Sequence, residues 1–364
     1  MQILKTISSF LPPPNFLRLP SVGVDISDSS MKYIEFRPDR KIGQSLELIN
    51  WGELDLPEGA LERGEVKDPK QFSSTLRQIK EKTGTDFVRI SLPEERAYLF
   101  ETKVKKGTSF KEVRGQLEFH LEENVPISPR DAFFDYHIFG EEAEEKEVTV
   151  AVTVYTKDTI NAYYHACLEA GVTPVSFEVE AQAITRAALP RGGKGTYLIL
   201  DFGRTRTGIG IVHRGALMYT STIDIGGNEL SAALRRQLGD KEESELTIIK
   251  NQEGLVRRST DGKSYEALVS TVSAIKDEIL LRLQYWNNRE DRGHDRFIEK
   301  IILCGGSANL KGLPEYLTET LGIDAMRADV WQNAFAIDHF VPPIDLPHSY
   351  GYATAIGLGL TSFV

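Results

Sequence analysis

Two aspartates stand where an apolar strand gives way to a turn of small and hydroxyl-bearing residues: Asp25 in "VGVDISDSSMKYIEF" and Asp201 in "LILDFGRTRTGIGIV". Turns rich in Gly, Ser and Thr aim backbone N–H groups and hydroxyls at one point, which suits phosphate oxygens. Carboxylates repel phosphate, yet they hold a hydrated Mg2+ through the waters that this ion keeps. Two such turns facing each other would clamp a triphosphate, with Asp25 and Asp201 in the outer shell of a shared metal. Either aspartate alone reads as a residue capping its own turn. Laid over each other, the two stretches align Asp25 with Asp201, and each opens an α/β half, the mark of an internal duplication. A third turn, Gly305-Gly306-Ser307, follows the apolar "KIILC". Glycines there let backbone pass close to a flat ligand such as adenine or its ribose, although a plain strand-to-helix turn looks the same.

The elements that must carry these turns alternate between strand and helix patterns, as in a layered α/β architecture. After the first hairpin come a strand in "SLELINWGELDL" and a helix in "DPKQFSSTLRQIKEKTG", started by Asp68 and stopped by Gly84. "FVRISLPEERAYLFETKVK" alternates as two strands around a Pro-Glu-Glu turn. Val113, Leu117 and Leu121 then give residues 108–125 one apolar face, closed by Pro126. Two strands separated by the acidic "EEAEEKE" and the helix "KDTINAYYHACLEAG" complete a βαββα block over 89–170. Strand "VTPVSFEVE", helix "AQAITRAAL" and a Pro-Arg-Gly-Gly boundary at 190–193 lead into the second half. There "TYLILDFGRTRTGIGIVHRGALMYTSTIDIG" predicts three strands, "GNELSAALRRQL" and "SYEALVSTVSAIKDEILLRLQYWNN" predict helices, and "FIEKIILCGGSANLKGLPEYLTETLG" predicts a strand, a turn and a helix.

Composition narrows the function classes. At 364 residues the chain has room for more than one core. A net charge of −10 argues against sequence-independent nucleic-acid binding, which needs Lys and Arg to neutralise phosphates. The two cysteines, Cys167 and Cys304, lie in apolar settings without metal-ligand spacing and read as buried thiols of a reducing compartment. No apolar run approaches the ~20 residues that span a bilayer. Ile3, Leu4, Ile7, Phe10 and Leu11 would share one side of a short N-terminal helix, either packed on its own domain or in peripheral contact with a membrane or partner.

The order of Asp25 hairpin, Glu180 helix, Asp201 hairpin, Gly-Gly-Ser turn and final "SYGYATAIGLGL" helix resembles the actin-like ATPase superfamily. Within it the sequence is similar to the PilM family of type IV pilus assembly, itself related to FtsA. "LEFHLEENVPISPRDAFFDY" looks like the helix and proline corner of the inserted 1C subdomain that PilM and FtsA carry. The resemblance implies a duplicated two-lobe fold with RNase H-type sheets. Lobe 1 would comprise 21–88 and 171–192, subdomain 1C 89–170, lobe 2 193–233 and 299–364, and subdomain 2B 234–298, after a tail of 1–20. It implies ATP and Mg2+ as ligands. Asp25 and Asp201 would serve the metal; Ser27, Ser29, Ser30 and Lys32 of the first loop and Gly203, Arg204, Thr205 and Thr207 of the second would serve the phosphates. Lys250 would stand near base and ribose, with Gly305, Gly306 and Ser307 at the adenosine. Glu180, or Glu178 instead, would orient the attacking water.

The second loop departs from the family's DIGxxxTD pattern: Gly208 stands in place of the acid, and Arg204 and Arg206 are additions that either bind the anion or point to solvent. Nucleotide binding is therefore the expectation, with slow turnover at most. The implied partners are the N-terminal tail of a PilN-like protein at the 1A/1C groove, pilus platform and motor proteins, and further copies of the chain. The implied location is the cytoplasmic face of the inner membrane. An FtsA-like filament-forming tether, expected to carry a linker and amphipathic helix after "GLTSFV", and a small-molecule kinase, expected to carry a substrate-base aspartate, are the alternatives.

Overall fold

The computed structural model describes residues 19–38, 46–139, 146–256, 262–289, 296–335 and 340–363. The N-terminal apolar stripe and most of the acidic turn lie outside them. Strands Val22–Ile26 (β1), Ser30–Pro38 (β2) and Leu46–Asp55 (β3) form an antiparallel meander. A short hairpin, Leu61–Glu62 (β4) and Glu65–Val66 (β5), leads to helix Pro69–Thr83 (α1). Asp68 caps that helix, accepting from the N–H groups of Lys70 and Gln71 at 3.0 and 3.1 Å, which satisfies two donors that have no partner inside the helix. Phe87–Leu92 (β6) then pairs parallel with β1.

The chain next leaves the lobe. Tyr98–Lys105 (β7), helix Phe110–Asn124 (α2), Ala132–Phe139 (β8) and Glu147–Thr156 (β9) build a three-stranded antiparallel sheet in the order β7-β9-β8. Ser109 and Glu112 close a capping box at the start of α2. Val113, Leu117 and Leu121 bury themselves against Val104, Val148, Val150, Val152 and Val154, a core of its own. Helix Lys157–Ala170 (α3) packs on α1 instead, placing Tyr163, Ala166 and Cys167 in the lobe 1 core. By packing, the insertion is therefore narrower than 89–170: β6 and α3 belong to lobe 1. Thr173–Val179 (β10) adds to β6 and gives the sheet order β10-β6-β1-β2-β3, and helix Glu180–Ala188 (α4) follows.

Lobe 2 repeats this plan. Thr196–Phe202 (β11), Thr207–His213 (β12) and Ala216–Ile223 (β13) form the meander. Helices Gly227–Leu238 (α5), Glu243–Gln252 (α6) and Lys263–Asn287 (α7) precede Ile298–Cys304 (β14), which pairs parallel with β11. After helix Leu313–Leu321 (α8), Asp324–Arg327 (β15) gives the order β13-β12-β11-β14-β15. Both sheets thus run antiparallel meander, first strand, then two parallel strands, the same connectivity twice. Leu234, Leu246, Leu268, Val272 and Ile279 of the helices share one continuous core with Leu198, Leu200 and Ile209 of the sheet, so the 2B helices have no separate core.

The last elements are Leu346–Ser349 (α9) and Ala353–Leu360 (α10). Helix α10 does not remain with lobe 2, as a 299–364 boundary expects. It lies against α4, β1 and β2, and its Ala355, Ile356 and Leu360 enter the lobe 1 core. The helix is apolar enough to be buried on every side.

Candidate functional site

A cavity of about 630 Å3 opens between the lobes, and both hairpin turns and the Gly305-Gly306 turn line it. Register explains why. Asp25 on β1 pairs across its hairpin with Lys32, and Asp201 on β11 pairs with Gly208, so the two carboxylates sit at equivalent ends of equivalent strands. Asp25 Oδ1 accepts from the Ser91 hydroxyl at 3.2 Å, and that hydroxyl in turn accepts from the Ile26 N–H at 2.9 Å.

Four carboxyl groups meet in the depth of this cleft. Burial raises Asp25 above the ordinary aspartate range, while the Lys32 charge opposes the shift. Burial, with the charge of Asp25 added, pushes Asp201 up to about 7. Burial and the Asp201 charge push Glu94 up to about 8. Glu180, the first residue of α4, is raised by burial and then by Glu94, Asp25 and Asp201. Burial leaves these charges poorly screened from one another, and Lys32 is the cation that acts on Asp25, Glu180 and Asp201. Such a donor set favours a further cation, and carboxylates are the ligand class of Mg2+. Among the described residues no three His, Cys, Asp or Glu side chains are grouped closely enough to hold a bare ion. The set therefore suits a metal that retains its water rather than one stripped of it.

The turns differ in how their side chains are used. Ser27 closes the first: its hydroxyl donates to the Ser30 carbonyl at 3.0 Å, and the Ser30 N–H donates back to that hydroxyl at 3.1 Å. Ser27, Ser29, Ser30 and Lys32 all line the cavity, with Lys32 also 3.4 Å from Glu53. In the second turn Gly203, Arg204 and Thr205 line it, and the Gly203 N–H donates to the Arg206 carbonyl at 3.0 Å. Arg206 neither awaits an anion nor points to solvent. It crosses the cleft and forms ion pairs with Asp28 and Glu95 of lobe 1. Gly305 has φ +84°, and a Cβ there would come within 2.4 Å of Asp201 Oδ1, so only glycine fits.

Three expected contacts are corrected. Thr207 is fully buried and donates its hydroxyl to the Ile225 carbonyl at 2.7 Å; it sits one residue before Gly208 and so faces away from the cleft. Ser307 lies behind the Gly305-Gly306 turn, where its hydroxyl donates to the Gly203 carbonyl at 3.0 Å and ties the third turn to the second. Lys250 is held by the Ser231 hydroxyl at 2.8 Å and by Glu243 at 3.1 Å, and its neighbours on α6, Thr247 and Asn251, line the cavity instead. Of the two candidate glutamates Glu180 lines the cavity, whereas Glu178 is paired with Arg186 at 2.7 Å and does not line it. Sequence reasoning missed Glu94 and Glu95, read as part of a turn between two strands, and Asp28. Cys167 and Cys304 are both buried free thiols; burial pushes Cys167 up to about 12 and raises Cys304 as well.

Known proteins share this fold. Residues 23–363 match the family described as type IV pilus assembly protein PilM. Among solved structures, the chain is similar to a PilM–PilN type IV pilus biogenesis complex at 21% identity and TM-score 0.76, covering 95% of this chain and 99% of that one. It is also similar to the ethanolamine utilization protein EutJ from Carboxydothermus hydrogenoformans, at 16% identity and TM-score 0.51, covering 96% and 90%. MreB5 of Spiroplasma citri bound to ADP matches at 14% identity and TM-score 0.53, over 88% and 94%. These similarities establish an actin-like two-lobe fold. No helix among the described residues is long and apolar enough to cross a membrane. A match that spans nearly every residue from the first hairpin to the last helix settles the family: the chain belongs to the PilM proteins of type IV pilus assembly.

Proposed function

We propose that the protein is an ATP-binding adaptor of the type IV pilus inner-membrane platform. It takes nucleotide and Mg2+ in the cleft and the cytoplasmic tail of a PilN-like protein in the groove between lobe 1 and the insertion. The observation that carries the nucleotide reading is the convergence of Asp25 and Asp201, from duplicated hairpins, on one cavity. Backbone N–H groups of the two turns and the Lys32 ammonium receive phosphate oxygens, Gly305 and Gly306 pass beside the base and ribose, and Glu180 orients water. Mg2+, when bound, neutralises charge between the triphosphate and the carboxylates. MreB5 structures solved with ADP and with AMPPNP share the fold, and a PilM was solved with PilN. On the insertion, Phe110, Phe119 and Phe133 stay exposed and offer apolar footing to a partner segment.

Titration of Mg-ATP into the wild type, Asp25→Ala and Asp201→Ala tests the site. Each substitution is expected to weaken binding about tenfold or more, the scale of a charged hydrogen bond. Undiminished affinity in both would remove the nucleotide from the cleft. A PilN-tail peptide titrated into the same proteins tests the adaptor reading, which fails if the peptide does not bind the wild type.

A further inference from the structure

The family pattern expects an acid at position 208, and this chain has glycine there. The space that a side chain would need is already filled. A Cβ built on Gly208 would lie 2.7 Å from Oε2 of Glu94, which arrives from the other lobe on the 3-10 turn Glu94–Arg96 after β6. Glu94 is 3% exposed, lines the cavity and is raised by burial and by the charge of Asp201. Its Oε1 is structurally engaged, accepting the Ala181 N–H at 3.0 Å at the start of α4, where the N-cap residue Val179 offers no side-chain bond. Its Oε2 is not. That oxygen is buried and makes no hydrogen bond of good geometry: the Thr220 hydroxyl and the Ile209 N–H lie near the carboxyl and oppose its rise, but the hydroxyl is donated to the Ile209 carbonyl at 3.1 Å. Capping α4 needs one oxygen, and a glutamine would supply it without burying a carboxyl among carboxyls. The second oxygen is explained by a ligand that is a hydrogen-bond donor.

We propose that Glu94, carried by lobe 1, supplies the carboxyl that the second hairpin lacks at position 208, its unpartnered oxygen holding a water of the magnesium–triphosphate shell. This role rests on the nucleotide reading of the cleft. It makes Glu94 a positioning residue and means that the acid facing Asp201 belongs to the opposite lobe. A side chain at 208 and the Glu94 carboxyl in its present rotamer compete for the same space.

The test is ATP titration, with Mg2+ and with EDTA, into the wild type, Glu94→Gln, Glu94→Ala and the double variant Glu94→Ala with Gly208→Asp, each first shown to melt cooperatively. Glu94→Gln keeps the Ala181 cap. It is expected to lose about tenfold or more of the gain in affinity that Mg2+ confers, while binding ATP in EDTA as tightly as the wild type. The double variant is expected to regain part of the Mg2+ gain that Glu94→Ala loses. A Glu94→Gln protein with the full Mg2+ gain, or a folded double variant no better than Glu94→Ala, overturns the proposal. If those results come while Asp25→Ala and Asp201→Ala still abolish binding, the nucleotide site stands and only the role of Glu94 falls. If the wild type binds no ATP, both fall.

Discussion

The crossing of α4 and α10 leaves no room for a side chain at Gly357, and replacing that residue tests it. A Cβ at position 357 would lie 1.8 Å from the Ala183 carbonyl oxygen and 2.4 Å from its carbon. Ordinary contact begins at 3.4 Å, so the helices must part by about 1.6 Å along that direction. The obstructing atoms are backbone and cannot swing aside. Overpacking of this kind costs up to about 3 kcal/mol. At ~2–4 °C per kcal/mol for chains of this general size, Gly357→Ala is expected to melt up to about 6–12 °C below the wild type. The same displacement shifts Glu180, at the head of α4, relative to Asp25, because α10 also rests on β1. ATP affinity should therefore fall together with stability. The control is Gly115→Ala in α2, where no atom lies within 4 Å of the added methyl. A helix-interior Gly→Ala change in open space stabilises by ~0.5–1 kcal/mol, so that variant should melt at or above the wild type and bind ATP unchanged. Calorimetry of the three proteins decides the matter. A Gly357→Ala midpoint within about 1 °C of wild type would refute the packing argument, as would an equal drop in Gly115→Ala.

Two other outcomes follow from groups held in unusual surroundings. The Glu94 carboxyl, at about 8 against an ordinary 4.5, and Asp201, at about 7 against 3.8, keep protons that the unfolded chain releases. Their contribution to stability is full below the ordinary carboxylate range and is lost as pH rises through 7 to 8, so the urea midpoint should fall from pH 5.5 to pH 8, and less steeply in Glu94→Gln; a midpoint that rises over that interval contradicts the assignment. The Glu101 side chain is 7% exposed and is paired with Arg289 at 3.0 Å and Arg296 at 2.6 Å. Glu101→Ala should cost about 3 kcal/mol by leaving buried guanidinium groups without this carboxylate, and a thermal midpoint equal to wild type would show that the pairs contribute nothing.

Much of this arrangement was legible because local chemistry and tertiary structure agree. Asp68 and Gly84 mark the ends of α1, the spacing of Val113, Leu117 and Leu121 marks the buried face of α2, and the two strand-Asp-turn-strand stretches predict the repeated sheet. Thr207 could have been placed correctly by alternation alone, since its neighbour Gly208 pairs with Asp201 and the two faces of a strand cannot both meet the cleft. Lys250 could not, because Ser231 reaches it from helix α5 and Glu243 from the far end of its own helix. Glu94 was hidden for the same reason more strongly. In "LPEERAY" it looks like part of a turn between two strands, and its burial comes from α4 and Gly208, which follow it by more than eighty residues.

The insertion is moored at two points of different kind. Its chain enters from β6 and leaves into α3, both rooted in lobe 1, whereas Glu101 holds arginines beside Trp286, at the end of the long lobe 2 helix α7. Ala151 of its central strand packs with Ile211, Met218 and Trp286 of lobe 2. A swivel of one lobe against the other must then either tear this mooring or tilt the three-stranded sheet, so the sheet behaves as an outrigger whose attitude reports the angle between the halves.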